Sequence, residues 1–400
     1  MHTKLVIFGI TGDLSRRKLL PALDAIVKSQ AAPELSIIGV SRREVDVPAL
    51  IRAATGGDRL TSHTTVVTMN LAHADDYSRL REQLALRDDE QAVIYLSVPP
   101  GAAADIADFL GEAGITGPHI KLLFEKPFGY DETSARNFIE RTSRSFDDEH
   151  TYRIDHYMAK EVALGLIELR AEAENHHHHW DNTSVESIEM VATEVLGVEG
   201  RGQFYEQTGA LRDIVQGHLL QLLSLVLMKP VAVAQLSLLP YHRLEALKNM
   251  KIADPRESVR AQYQRYDVEV ENPGSTTETF VSLVLQSDDE RWKNVPIRIL
   301  TGKALHEKKT AITINYKDGS KDIFTEGEVS SSIDPLSDPY QRVLVQAIQG
   351  QKALFTTADE VIQSWRILAS VQQAWAMNDI PLQKYDIGQH ASHVHLQRYI

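Results

Sequence analysis

The stretch LVIFGITGDL, residues 5–14, decides how the N-terminal part of the chain folds. Its four leading apolar residues predict a short buried strand, and the turn after them runs into a helical pattern at 19–27. Glycine in such a turn lets the backbone approach a pyrophosphate, which the N–H groups of the helix N-terminus then hold. The match to G-x-G-x-x-G is imperfect, because Thr11 and Leu14 replace two glycines. The predicted phosphate-binding turn consists of Gly9, Ile10, Thr11, Gly12, Asp13 and Leu14.

Two arginines follow the second apolar strand. That strand covers residues 35–40, and Ser41 separates it from Arg42 and Arg43. An NAD-selective domain has an acidic residue here to hold the ribose hydroxyls, whereas guanidinium groups suit the 2′-phosphate of NADP. The alternative is a pair of solvated surface arginines. The pattern favours NADP as the cofactor, with NAD used less well.

Strands and helical patterns then alternate. The further predicted strands lie at 65–69, 92–98 and 120–124. Such alternation is typical of a parallel, doubly wound, Rossmann-like sheet, whose ligand binds beyond the carboxyl ends of the strands. Asn70 and Leu71 are therefore expected near the adenine, and residues 98–100 beside the cleft, while the turn at 125–129 follows the fifth strand. The Lys126-Pro127 bond in that turn is expected to be cis; a plain strand-ending turn is the alternative.

Length and composition limit the classes of protein. Four hundred residues with 43% hydrophobic content suit two globular domains, each with its own core. The 42 Lys and Arg residues against 55 Asp and Glu give a net charge of −13, which repels polyanions, so no nucleic acid partner is expected. No apolar run approaches the roughly 20 residues that span a bilayer. The chain has no cysteine, which excludes disulfides, and a cytoplasmic protein is predicted.

A second stretch, RIDHYMAKE at residues 153–161, brings an acid, an imidazole, a phenol and an ammonium group together. It lies between a predicted strand and a helix expected from Met158 onward. A helix N-terminus favours an anion such as phosphate, and His156 and Lys160, four residues apart, would grip it from one face. Asp155 cannot bind an anion, and its simplest role is to cap the helix.

The alternation stops near residue 155, which divides the chain into predicted domains 1–155 and 156–400. The second domain is predicted to be α+β, with a large, mainly antiparallel sheet flanked by helices. Its expected strands are 185–195, 280–286, 297–300 and 311–315, and its expected helices are 210–228, 340–349 and 358–376.

His218 lies on the apolar face of the helix predicted at 210–228. A histidine at such a position is most often a hydrogen-bonded core residue. Paired with a carboxylate, however, a buried imidazole is a general base that titrates near neutral pH. Asp155 is the carboxylate that lacks another role, so Asp155 and His218 form the candidate catalytic pair.

Four consecutive histidines at 176–179 do not predict a metal centre. Consecutive loop residues point in different directions, and no acidic residue at ligand spacing completes a coordination shell. The composition of a loop explains the run. No metal ion is expected.

Taken together, these motifs resemble the glucose-6-phosphate dehydrogenase family. The matching segments occur in the order of the family and cover most of the chain, so they are specific as a set although each is moderate alone. They are residues 8–19, 125–129, 146–161, 194–199, 209–218 and 302–305.

The resemblance implies oxidation of glucose 6-phosphate at C1 with hydride transfer to NADP. It implies that His218 takes the proton of the C1 hydroxyl and that Asp155 orients His218 and stabilises the imidazolium. The residues implied for the phosphate are His156, Tyr157 and Lys160. Those implied for the sugar are Lys18, Glu194, Asp213 and Lys303, with Lys308 nearby. Those implied for NADP are residues 9–14, Arg42, Arg43 and Lys126.

The chain departs from the family pattern at three positions. Ile10 stands where the family has a small residue, Ala159 replaces a glycine, and Gly217 replaces an asparagine, but none of these changes removes a catalytic side chain. The chain is also shorter than most of the family, chiefly after Lys303. A homodimer or a dimer of dimers is expected. The alternatives are a dehydrogenase of another sugar or sugar phosphate, and a sensor that binds both ligands without turnover.

Overall fold

The computed structural model describes residues 1–32, 34–171, 179–327, 336 and 338–396. The chain separates into two compact units. Unit 1 comprises Met1–Gly129, Thr133–Lys160 and Asp334–Ala358, and unit 2 comprises Tyr130–Glu132, Glu161–Ile333 and Asp359–Ile400. These units differ from the division predicted at residue 155, because unit 1 continues to Lys160 and includes a segment from the C-terminal part of the chain.

The described residues include fourteen strands and thirteen α-helices. The strands are β1 His2–Phe8, β2 Leu35–Ser41, β3 Thr64–Thr68, β4 Glu90–Leu96, β5 Ile120–Phe124, β6 Thr151–Ile154, β7 Val185–Thr193, β8 Ser258–Tyr263, β9 Phe280–Leu285, β10 Ile297–Gly302, β11 Lys309–Tyr316, β12 Lys321–Thr325, β13 Phe355–Thr356 and β14 Leu382–Tyr385. The helices are α1 Leu20–Ser29, α2 Val47–Thr55, α3 Ala74–Leu84, α4 Pro100–Glu112, α5 Glu132–Thr142, α6 Glu161–Ala171, α7 Gly202–Ala210, α8 Leu220–Leu227, α9 Leu239–Lys248, α10 Tyr266–Glu269, α11 Pro339–Gln349, α12 Ala358–Ala376 and α13 Ala391–Leu396.

Unit 1 is built on a sheet of seven strands in the order β13-β6-β5-β4-β1-β2-β3. β1 pairs in parallel with both β2 and β4, so the chain winds outward from the centre in two directions. All seven residues of β4 are buried, as expected for a strand covered by helices on both faces. The predicted parallel, doubly wound sheet is confirmed. β13, which the sequence did not predict, pairs antiparallel with β6 at one edge.

Helix α11 belongs to unit 1 although it lies far along the chain. Asp338 caps it by accepting the N–H of Tyr340 at 2.8 Å. At its other end, Lys121 Nζ donates to the Ala347 carbonyl at 2.8 Å and Gln91 Nε2 donates to the Ile348 carbonyl at 2.9 Å. Side chains of the parallel sheet thus hold the C-terminus of this helix, where cations and amide donors satisfy terminal carbonyls.

Unit 2 contains the second sheet, with the order β12-β11-β7-β10-β9-β8-β14. β7 with β10 and β8 with β14 are parallel pairs, and the other four pairs are antiparallel. The predicted large, mainly antiparallel sheet is confirmed. The parallel pairing of β7 with β10 brings the carboxyl ends of these two strands to the same edge of the sheet.

Helix α8 of unit 2 is buried along its whole length. An ion pair between Arg243 of α9 and Glu360 of α12 has an N–O distance of 2.7 Å, and both side chains are fully inaccessible. By length and composition, the helical stretch Gly202–Leu227 could cross a membrane, but 89% of its most apolar window is buried inside the structure. That is the position of a core helix.

Candidate active site

The glycine turn after β1 is tight, because the Ser97 carbonyl lies against Gly9 and the Gly9 carbonyl lies against Gly12. Gly9 has a φ of 81°, and a Cβ on it would lie 2.2 Å from the carbonyl oxygen of Ser97. The Gly12 N–H and the Ser15 hydroxyl both donate to the Gly9 carbonyl at 2.9 Å. Only glycine fits at position 9, and the turn leads directly into a short π-helical segment, Ser15–Leu19, and then α1.

Ile10 is accommodated within the sheet. Its side chain is fully buried, and it packs where a Cβ on Gly39 of β2 would lie, 2.4 Å from Ile10 Cδ1. The larger residue in the turn is therefore matched by a glycine on the neighbouring strand. Asp13, in contrast, is exposed and pairs with Arg17 at 2.8 Å.

Arg42 and Arg43 line a cavity of about 630 Å³ at the carboxyl end of β2. Thr11 of the glycine turn lines the same cavity, and so does Arg16. The Arg43 N–H donates to the Ser41 hydroxyl at 3.2 Å, which orders the backbone between the arginines. The sequence argument did not single out Arg16, although its position in the first helical turn after the glycines was the available signal.

Asn70 and Leu71 form the turn after β3. The Asn70 N–H donates to Asp76 at 2.5 Å, and this hydrogen bond is the main reason why the pKa of the Asp76 carboxyl is lowered. The Tyr77 hydroxyl donates to the Leu71 carbonyl at 2.7 Å. The turn is thus fixed at the carboxyl edge of the sheet, but neither residue is among those that line the arginine cavity.

The turn after β5 has the predicted cis bond between Lys126 and Pro127. Beside it, the Tyr95 hydroxyl donates to Glu125 at 2.5 Å. Burial raises the pKa of the Glu125 carboxyl to about 7, against the opposing effects of the Tyr95 hydrogen bond and the Lys126 charge. A carboxyl group that titrates near neutral pH therefore lies next to the predicted cofactor residue Lys126.

This carboxyl group makes the stability of the protein pH-dependent. Its folded-state pKa of about 7 exceeds the ordinary value of 4.5, so its contribution to stability is present at low pH and is lost as the pH rises toward 7. We expect Glu125→Gln to gain stability relative to the wild type between about pH 5 and about pH 8, by up to about 3 kcal/mol. Urea unfolding at both pH values measures this difference. The exposed Glu140→Gln is the control, and an equal pH response of Glu125→Gln and the wild type would contradict the assignment.

The stretch 153–161 is organised differently from its prediction. Asp155 is buried and caps a 3-10 turn, His156–Ala159, by accepting the N–H of Tyr157 at 2.9 Å. Lys160 has an extended backbone, and α6 begins only at Glu161. The expectation of a helix from Met158, with His156 and Lys160 on one helical face, was wrong, because the short cap ends the first turn before α6 starts.

The predicted phosphate ligands nevertheless lie together in unit 1. Lys160 Nζ is 3.8 Å from the centroid of the Tyr157 ring, and the centroids of the His156 and Tyr157 rings are 5.1 Å apart. The His156 ring also stacks on Tyr340 of α11, at 6.3 Å between centroids and 12° between planes. The buried Arg342 donates to the Ala159 carbonyl at 2.7 Å. Helix α11 thus supports this turn, which the sequence could not indicate.

In unit 2, Glu194 and Lys303 meet at the carboxyl ends of β7 and β10. The strand register pairs Thr193 with Gly302, so the next residue of each strand is adjacent. Lys303 Nζ is buried and donates to Glu194 at 2.5 Å. Its backbone is held as well, since the Tyr385 hydroxyl donates to the Lys303 carbonyl at 2.6 Å. Lys303 is a rigidly placed cation.

Tyr205 is a residue of this group that the sequence argument missed. Lys303 Nζ lies 5.3 Å from the centroid of its ring. Burial raises the pKa of the Tyr205 hydroxyl well above its ordinary value, and the nearby carboxylates of Asp213 and Glu278 act in the same direction. Nothing in the local pattern of α7 distinguishes this tyrosine from an ordinary core residue.

His218 and Asp213 lie on one helical segment of unit 2. His218 is 3% exposed, and Asp213 is half-buried. The segment Leu211–Leu219 that carries them is π-helical and continues into α8. The predicted base is thus an imidazole buried within a helix, which is the environment that the sequence argument required.

The remaining predicted residues are less constrained. Lys18 is exposed on the π-helical segment after the glycine turn, and Lys308 is exposed just before β11. The first three residues of the histidine run at 176–179 lie outside the described residues, and His179 is the only member that is described.

The folds and groups described here define a class: a dinucleotide-binding oxidoreductase with a parallel nucleotide-binding sheet and a separate mixed sheet. Two protein-family models that match the chain identify the family within this class. "Glucose-6-phosphate dehydrogenase, NAD binding domain" matches residues 6–164, and "Glucose-6-phosphate dehydrogenase, C-terminal domain" matches residues 167–335 and 327–397. The chain belongs to the glucose-6-phosphate dehydrogenase family.

Individual relatives agree with this assignment. Glucose-6-phosphate 1-dehydrogenase of Gluconobacter oxydans is 30% identical, over 96% of this chain and 93% of its own. A crystal structure of the enzyme from Mycobacterium avium is 30% identical with a TM-score of 0.82, covering 97% of this chain and 94% of its own. A glucose-6-phosphate dehydrogenase solved with its substrate glucose-6-phosphate has the same fold, with a TM-score of 0.88, 24% identity, and coverage of 97% and 95%.

Proposed function

We propose that this protein oxidises D-glucose 6-phosphate at C1 to 6-phosphogluconolactone and transfers the hydride to NADP, the entry step of the oxidative pentose phosphate pathway. The observation that carries the proposal is a buried imidazole, His218, in a chain that both family models match. The site of action proposed is the cytoplasm. We also propose a homo-oligomer, either a homodimer or a dimer of dimers.

The chemistry requires one base and accurate positioning. His218 takes the proton of the C1 hydroxyl as the hydride leaves C1, and Asp155 orients the imidazole and stabilises its protonated form. NADP, when bound, supplies the hydride acceptor. Hydride transfer needs the reacting atoms within about 3–3.5 Å of each other, so the other residues serve mainly to fix the sugar.

We assign the residues that would bind the phosphate, the sugar and NADP as follows. The proposed phosphate ligands are His156, Tyr157 and Lys160, and the proposed sugar ligands are Lys18, Glu194, Asp213 and Lys303, with Lys308 nearby. The Lys303–Glu194 ion pair supports the second group, since it offers a donor and an acceptor to neighbouring hydroxyls. The proposed NADP ligands are the glycine turn, Arg42, Arg43, Asn70, Leu71 and Lys126.

NADP is proposed over NAD because of the charge at the end of β2. Arg16, Arg42 and Arg43 line one cavity with Thr11 of the glycine turn, and this is the group that a 2′-phosphate would meet. Glu44 also lines this cavity, which moderates the preference for a dianion. We therefore expect NAD to be used, but less well.

Lys160→Ala tests the phosphate role. A hydrogen bond to a charged group contributes about 1.5–3 kcal/mol, so kcat/KM for glucose 6-phosphate should fall roughly 10- to 100-fold. Any turnover of free glucose should change little, because glucose carries no phosphate. Lys160→Arg, which keeps the charge, is the matched control. An equal loss on both substrates would reassign Lys160.

The proposed function is tested by following cofactor reduction with a panel of substrates. Glucose 6-phosphate, free glucose, other hexose phosphates and other sugars are each paired with NADP and with NAD. Fast turnover limited to glucose 6-phosphate is the expected result. Preference for another sugar would establish the alternative dehydrogenase. Thermal stabilisation by both ligands without turnover would establish the non-catalytic sensor.

A further inference from the structure

The helix that carries Asp213 and His218 changes its winding. α7 ends at Ala210, the segment Leu211–Leu219 is π-helical, and α8 follows it. In an α-helix of about 3.6 residues per turn, residues five apart point roughly 140° away from each other. The wider π-helix, with its i→i+5 hydrogen bonds, brings such residues to nearly the same side. The π winding therefore directs Asp213 and His218 to one side of the helix.

A break in the backbone defines where this segment starts. Gly209 has a φ of 62° and a ψ of 177°, which are not helical angles, so the helical run restarts after it. The N–H groups at the start of a helix lack partners within the helix. The N–H of Leu211 is such a group, and its partner determines how the segment begins.

That partner is Glu278, in the connection that leads into β9. Its carboxylate accepts the Leu211 N–H at 2.9 Å, and its backbone carbonyl accepts the Ala210 N–H at 3.0 Å. A Cβ on Gly209 would lie 2.4 Å from Glu278 Oε1, so the carboxylate fills the space that a side chain there would need. Burial raises the pKa of the Glu278 carboxyl group, and the hydrogen bond from the Leu211 N–H acts in the opposite direction.

We infer that Glu278 is a positioning residue: by holding the Leu211 N–H it sets the register of the π-helical segment, and with it the direction in which His218 and Asp213 point. A register shift of one residue would rotate these side chains by roughly a quarter of a turn. The inference rests on the proposed function for its kinetic readout, since it concerns the placement of the proposed base.

Two substitutions of Glu278 distinguish the effect of its hydrogen bond to Leu211 from the effect of its charge. Glu278→Gln keeps an oxygen that accepts the Leu211 N–H, whereas Glu278→Met has a similar length and no such acceptor. We expect Glu278→Gln to keep kcat within about twofold, and Glu278→Met to lower kcat roughly 10- to 100-fold, because small displacements of a catalytic group are costly. The KM for NADP should stay unchanged in both variants.

Glu206→Met is the matched control. Glu206 lies on α7 in the same unit, but its carboxylate accepts from Asn272 at 2.5 Å and from Ser275 at 2.7 Å, so it holds a loop and not the π-helical segment. It should lower thermal stability and leave kcat unchanged. Should Glu278→Met fail to fold, Glu278→Ala takes its place, because it removes the same hydrogen-bond acceptor.

Hydrogen exchange read by mass spectrometry supplies a readout that needs no turnover. Peptides covering Leu211–Leu219 should exchange faster in Glu278→Met than in the wild type and normally in Glu278→Gln. Equal loss of kcat in the Gln and Met variants, or full kcat in Glu278→Met, would overturn the inference. A wild type without turnover would instead refute the proposed function, and the exchange experiment would still decide whether Glu278 caps the segment.

Discussion

His218→Asn should lower kcat by about two to four orders of magnitude with little change in KM for either ligand, because general-base catalysis contributes about that factor. Asparagine retains hydrogen bonding and approximate size at a buried position, so the loss would report the missing proton acceptor and not a cavity. Initial rates over a range of pH, with circular dichroism to verify folding, measure the effect.

The control for this prediction is His242→Asn. His242 is a partly buried histidine on another helix of unit 2, and it has no proposed part in the reaction. It should keep kcat near the wild-type value. Near-normal turnover of His218→Asn would remove His218 from the role of base.

The proposed interaction of Asp155 with His218 can be tested with single and double variants at these two positions. If Asp155 acts only by orienting the base, Asp155→Asn should lower kcat in the wild type but add little to the loss in His218→Asn, since residues that work as a unit are strongly non-additive. Independent, multiplying losses would mean that Asp155 has a separate function.

Replacing both Arg42 and Arg43 with Ala should raise KM for NADP roughly 100-fold or more and leave KM for NAD almost unchanged. Each guanidinium–phosphate interaction is a charge-assisted hydrogen bond worth about 1.5–3 kcal/mol, and only NADP carries the 2′-phosphate. Both arginines line the cavity beside Thr11, which is where the proposal puts that phosphate. Steady-state kinetics with each cofactor at saturating sugar phosphate measure the two KM values and their ratio.

Arg52→Ala is the control for the cofactor experiment. Arg52 is an exposed arginine on α2 that pairs with Asp58 at 3.0 Å, and exposed pairs contribute little. It should alter neither KM. A double variant at Arg42 and Arg43 that affects NADP and NAD equally would show that the arginines act on a shared part of the cofactors.

Periodicity and strand ends predicted much of the fold. The predicted bounds of β5 and α12 match the structure, because an apolar strand and a helix with a regular buried stripe carry their signal locally. β13 was missed, since it has only two residues and its place depends on pairing with β6. β13 and α11 belong to unit 1 because of contacts with residues far away in the sequence, which a local pattern does not show.

The candidate site divides in the same way. Residues at the ends of the parallel strands, such as Arg42 and Arg43, could be found because the direction of a parallel strand tells where its end lies. Lys303 was indicated only by the family resemblance. Tyr205 and Glu278 could not be found, since their importance comes from side-chain contacts with distant segments. The π-helical winding of the segment that carries His218 could not be predicted either. The spacing of its apolar residues does not distinguish an α-helix from the slightly wider π-helix.

The most direct test of the proposed reaction uses glucose 6-phosphate deuterated at C1. With NADP as acceptor, the account predicts that the deuterium appears in the reduced nicotinamide, seen by mass spectrometry, while the sugar phosphate becomes the lactone. Reduced cofactor without deuterium, or both ligands bound with no transfer, would contradict hydride transfer from C1.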